Sequence, residues 1–137
     1  MSRPSLLEVA RSHPDLSLWT RAVEIAGWDG LLESGGPWTV LAPRDDAFAR
    51  MAGPADEWLD DPERLCARVA AHLVRGRWMG RDLANAGALP TAAGNRLEVA
   101  SVHGAIRIGE AIVTRADLPA ANGTLHVVDD LLERVAA

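Results

Sequence analysis

The run Trp38-Thr-Val-Leu-Ala-Pro-Arg-Asp-Asp-Ala-Phe48 leaves this chain few ways to fold. Thr39, Val40 and Leu41 favour an extended backbone, because β-branched and large aliphatic side chains pack well on a pleated surface. Pro43 has no N–H to give to a ladder, so pairing stops there. Asp45 or Asp46 can cap a helix starting just beyond, and Phe48 enters the core from its first turn. Phe48 is the only Phe in a chain without Tyr, so any large non-indole ring in the interior must be this one. A short strand that turns straight into a helix needs a partner for its free edge. The best partner is Thr124-Leu-His-Val-Val-Asp129, near the other terminus.

Helical signals dominate the first half. Ser5 and Glu8 have the spacing of a capping box ahead of Leu6, Val9 and Ala10. Pro14 and Asp15 suit the first turn of a second helix, whose apolar stripe is Leu16, Trp19, Val23 and Ala26 and which Gly27 can end. Trp28, Leu31 and Leu32 fit a further turn against the same core, and Gly35-Gly36-Pro37 breaks the chain before the organising strand. Beyond Gly53-Pro54, Asp61-Pro62-Glu63 is a helix start, with an inward stripe at Leu65, Val69 and Leu73 and a stop at Gly76.

From Leu89 onward the period changes to two. Leu97 and Val99 alternate with Arg96 and Glu98, and Gly94-Asn95, His103-Gly104 and Gly109-Glu110 separate short extended runs. The expected product is a compact antiparallel sheet, left at Asp117-Leu118-Pro119 and rejoined after the Asn122-Gly123 turn. Leu131, Leu132 and Val135 fit a short terminal helix.

A single domain over residues 1–137 is expected, long enough for a real core. Net charge is -5 and all 14 basic residues are Arg. An anionic chain with no basic stripe interleaved with stacking residues argues against nucleic acid as partner. A lone Cys66 excludes an internal disulfide and reads as a small buried hydrophobe. No run approaches membrane-spanning length, so no membrane insertion is expected, and no signal peptide is visible before Arg11.

Two stretches resemble the fasciclin-like (FAS1) domain family. Thr39-Val-Leu-Ala-Pro-Arg-Asp-Asp-Ala-Phe48 is similar to its first conserved block, and Asn122-Gly-Thr-Leu-His-Val-Val-Asp-Asp-Leu-Leu132 to its second. Between them, Ala71-His72-Leu-Val-Arg-Gly76 resembles its central tyrosine-histidine segment, with Ala71 in place of the usual aromatic. The resemblance implies an α+β fold, a compact FAS1-like wedge of short β-strands with several surrounding α-helices. It also implies a non-catalytic cell-adhesion or extracellular protein-interaction domain at the cell surface, in the periplasm or secreted. Its partner would be a cell-surface receptor or matrix protein, with no cofactor. Asp117 and Leu118 stand where related domains carry an adhesive Asp-Ile pair, and His72 is the third candidate contact. Thr39, Pro43, Phe48, Asn122, Gly123 and His126 are the expected structural motif.

The competing reading is a small-ligand-binding domain or hydrolase, whose pocket would join His72, His103 and an acid. The sequence gives it little support. Its four His have no compact metal-ligand spacing, so no metal is expected. The pairs Asp45-Asp46, Asp60-Asp61 and Asp129-Asp130 are adjacent residues whose side chains diverge, which suits capping better than paired acid-base work. Ser101 and His103 lack a nucleophile elbow. Trp78-Met79, rimmed by Arg77 and Arg81, reads as core closure rather than a patch.

Overall fold

A computed structural model describes residues 4–49 and 62–132 of the chain. The elements are α1 (Leu6–Ser12), a 3-10 turn (Pro14–Leu16), α2 (Ser17–Ala26), α3 (Asp29–Ser34), β1 (Trp38–Pro43) and α4 (Asp45–Ala49). There follow α5 (Pro62–Ala70), β2 (Leu73–Arg75), α6 (Gly80–Ala84), β3 (Ala88–Pro90), β4 (Arg96–Val102), β5 (Ala105–Ile108), β6 (Ala111–Ala120) and β7 (Gly123–Val128). The strands form one seven-stranded sheet in the order β2-β1-β7-β6-β5-β4-β3. The sheet curls until its edges approach, since the Ala92 N–H, just after β3, donates to the Leu73 carbonyl of β2 at 2.9 Å.

The early and late strands do meet. β1 and β7 pair in register from Trp38↔Gly123 to Pro43↔Val128. They are parallel, which corrects the all-antiparallel expectation; every other pairing is antiparallel. Both strands are buried along their whole length, as parallel strands covered on both faces should be. One face, with Val40, Ala42, Leu125 and Val127, packs against Leu6, Trp19, Val23, Phe48, Leu65 and Val69 from the helices. The other, with Leu41 and Val128, packs against Leu83, Leu89, Leu97 and Ile108 in the fold of the curled sheet.

The local signals were read correctly at the start of α1 and the end of α2, whereas Pro14 and Asp15, expected in the first turn of α2, form the 3-10 turn that precedes it. Ser5 and Glu8 form the reciprocal capping box, and Gly27 ends α2 in the left-handed conformation. Several other expectations need correction. Asp45 sits inside α4 and caps a different helix: its carboxylate accepts the Leu18 N–H at 2.8 Å and the Ser17 hydroxyl at 2.6 Å at the start of α2. The helix before the central histidine ends at Ala70, and Leu73 belongs to β2. Leu73 still reaches the core that holds Leu65 and Val69, so an apolar rhythm continues while the backbone changes state.

Leu31 is exposed and Cys66 only half-buried. Asp117-Leu118-Pro119 lies within β6 rather than leaving the sheet. Leu131 and Leu132 are not helical. The expectations for Gly53-Pro54, Asp60, Asp61 and Val135 fall outside the described residues.

Candidate functional site

β6 is the irregular member of the sheet. Its register on β7 runs Val113↔Val128, Arg115↔Val127, Leu118↔Leu125, with a slip in each interval. Each slip sets an extra residue of β6 against β7, which bends the strand outward and re-aims its side chains. Thr114 to Asp117 are all exposed, although successive residues of a regular strand point to opposite faces. Asp117 holds φ at +62°, a left-handed conformation that Asp tolerates better than most residues. Leu118 is half-buried and packs against the helical core, so it anchors the bulge from beneath.

The motif residues hold this bulge in place. The Thr39 hydroxyl donates to the Gly76 carbonyl at 2.7 Å and accepts the Trp78 N–H at 2.8 Å, tying β1 to the segment after β2. The Trp78 carbonyl lies 2.7 Å from His126 Nε2. His126 Nδ1 accepts the Asp117 N–H at 3.1 Å, which puts the ring proton on Nε2, donating to Trp78. The Asp117 carboxylate accepts the Gly80 N–H at 2.7 Å, and the path returns to the segment it left. Arg77 spans the adjacent turn, its guanidinium donating to the carbonyls of Gly123 at 2.6 Å and Ala120 at 3.2 Å.

Asn122 closes the other side. Its carboxamide accepts the Leu6 N–H at 2.9 Å and donates to the carbonyls of Leu32 at 3.0 Å and Gly35 at 2.6 Å. Pro43 ends β1 opposite Val128, and Phe48 is buried in the helical core. Thr39, Asn122 and His126 thus act through hydrogen bonds, while Pro43 and Phe48 lie at the end of β1 and in the core and Gly123 opens β7 opposite Trp38. Sequence reading missed Arg77, the Trp78 carbonyl and Gly80. In the sequence Arg77 and Trp78 suggest only core closure or a patch, and the close approach at Gly80, where a Cβ would stand 3.3 Å from an Asp117 carboxylate oxygen, exists only in the fold.

His72 is corrected from contact to core group. It is 0% exposed, its Nδ1 lies 2.7 Å from the Arg68 carbonyl, and its Nε2 accepts the Leu132 N–H at 3.0 Å. The Trp19 ring lies 5.3 Å away, tilted. His103 instead stands exposed in the β4–β5 turn with φ at +50°. The pocket of converging His and acid groups is thus not formed. Among the described residues no group of three or more His, Cys, Asp or Glu could hold a metal ion.

Both buried histidines resist protonation. Burial lowers the His72 pKa from 6.5 to about 4, against the raising effect of the Arg68 carbonyl. Burial also lowers that of His126, opposed by the Trp78 carbonyl and the Asp117 carboxylate. In the unfolded chain each regains its ordinary value, so between pH 6.5 and 4 the unfolded state binds more protons. Stability is therefore full above pH 6.5 and falls as the pH drops. His72 alone contributes a loss of about 3 kcal/mol by pH 4. Urea denaturation at pH 7 and pH 4.5 should register most of this loss, and His72→Gln should flatten the dependence.

A family model described as Fasciclin domain matches residues 14–134. Protein sll1483 of Synechocystis is 31% identical over 134 residues, covering 96% of this chain and 74% of that protein. Human periostin is 29% identical over 131 residues, 93% of this chain but 16% of periostin. A FAS1 domain pair from the insect cell adhesion molecule fasciclin I superposes with a TM-score of 0.75 at 20% identity, over 97% of this chain and 52% of that one.

Proposed function

Since the chain belongs to the fasciclin domain family, and its role is that of a non-catalytic adhesion or protein-interaction domain, we propose that it binds a cell-surface or matrix protein through the bulged face of β6. The observation that carries this reading is the exposed run Thr114 to Asp117 within a strand whose neighbour β7 is wholly buried. Four consecutive exposed residues on a backbone braced by His126 and Gly80 offer a partner a surface that needs little ordering on binding. Asp117 supplies the charge and Arg115 a second, opposite one, while Leu118 keeps the run seated. No helix among the described residues is long and apolar enough to cross a membrane. We infer a working place outside the cytoplasm, at the cell surface, in the periplasm or secreted, and we take residues 1–137 as one domain.

The test must separate a lost contact from a lost fold. Asp117→Asn keeps the tolerance for positive φ and the acceptor for Gly80, and removes only the charge. In an attachment assay on cells or matrix-coated surfaces, the concentration for half-maximal attachment should rise about tenfold, as removing one central charged contact typically does. Its denaturation curve should match that of the parent. Unchanged attachment would remove the carboxylate from the contact surface.

A further inference from the structure

On the helical side, α1 and α2 enclose an open groove of about 460 Å³, within the range that holds small molecules. Its lining is mostly apolar, with Pro14 and Ile25 among the residues, and Arg11, His13, Arg21 and Glu24 supply the charged and polar groups. Ile25 is one of two large aliphatic side chains left exposed among the described residues, at 40%.

The lining is cationic on an anionic protein. Arg11 faces Glu24 across the helices at 3.6 Å, so those charges largely offset. Arg21 has no hydrogen-bond or ion-pair partner among the described residues. His13 Nδ1 accepts the Asp15 N–H at 3.3 Å, which leaves its Nε2 as the remaining polar atom of the ring. The hydroxyls of Thr20 and Ser17, also in the lining, are spent on the Leu16 carbonyl at 2.8 Å and on Asp45 at 2.6 Å. An apolar trough with one uncommitted guanidinium suits a molecule with an apolar body and a single anionic head.

We infer that this groove binds a small amphipathic carboxylate, with the carboxylate on Arg21 and the hydrocarbon along Pro14 and Ile25. The volume suits a single small molecule, and Arg21 can present two parallel N–H donors to a carboxylate. Nothing in this inference depends on the adhesive role of β6.

Decanoate is the probe, with decylamine and 1-decanol as chain-matched controls, each titrated below its aggregation concentration into the ¹⁵N-labelled protein. Decanoate should bind saturably, shift amides of α1 and α2 and spare the bulge Thr114 to Asp117, and bind about tenfold or more tightly than decylamine, as a charge-assisted contact allows. Arg21→Gln, at an exposed position, should keep the fold and weaken decanoate by about tenfold. Arg107→Gln, outside the groove, should leave affinity unchanged. Equal binding of acid and amine, shifts centred elsewhere, insensitivity to Arg21→Gln, or no saturable binding would each overturn the inference.

Discussion

Gly123→Ala is expected to abolish the cooperative fold. Gly123 opens β7 opposite Trp38, the first residue of β1. A Cβ at this position would fall inside the contact radius of the Trp38 carbonyl oxygen, 2.9 Å from its carbonyl carbon and 2.8 Å from a Leu6 methyl. Two of these three neighbours are backbone, so no rotamer change relieves the clash. The strands must separate where they begin to pair, and α1 must lift from them. The cost should exceed about 4 kcal/mol, the level reached by gross overpacking, a large part of a typical stability of about 5–15 kcal/mol. Gly94 provides the contrast: a Cβ there meets nothing within 4 Å, and φ is +93°. Gly94→Ala should cost only the backbone strain, about 1–2 kcal/mol. Urea denaturation followed by circular dichroism checks both, and a Gly123→Ala protein with a parent-like midpoint would refute the close approach.

Asn122→Asp is expected to lose about 3–5 kcal/mol, although it changes only one amide nitrogen to oxygen. The acid can still accept the Leu6 N–H. It gives up both donors, however, and turns an anionic oxygen toward the carbonyls of Leu32 and Gly35, which the amide now serves at 3.0 and 2.6 Å. Stranding two acceptors at about 1–3 kcal/mol each, with charge repulsion added, leads to that range. The urea midpoint should fall with little change in slope, because the folded and unfolded surfaces are the same. A loss under about 1 kcal/mol would mean that the turn does not hold α1 and α3 to the sheet.

Much of the support for the candidate site could be read from residues alone. Thr39, Pro43 and Phe48 announced a strand, its stop and a core ring, and Asn122-Gly123 announced the turn that brings the late strand beside the early one. What escaped depends on distant parts of the chain. The near-continuous apolar runs of β1 and β7 suit strands covered on both faces, but such a run does not by itself fix strand direction, so the parallel seam was missed. Asp45 looked like a cap for its own helix, but its partners Ser17 and Leu18 lie 28 and 27 residues away.

Pro119 misled for a related reason. A proline argues against a central strand, yet β5 pairs only with Ala111 and Ile112 at the start of β6. Near Pro119, β7 is the strand paired with β6, and the missing N–H disturbs no second ladder. The bulged face could not be foreseen once that segment was taken for a loop.

A rigid seam of β1 and β7 carries an open, outward-bent β6. Native-state amide hydrogen exchange measures both properties residue by residue. The interior amides of β1 and β7 should exchange only through global unfolding, with one shared opening free energy equal to that from urea denaturation, while Ala116 in the bulge exchanges much faster. Separate opening energies for the two strands, or an Ala116 amide as protected as the seam, would contradict that arrangement.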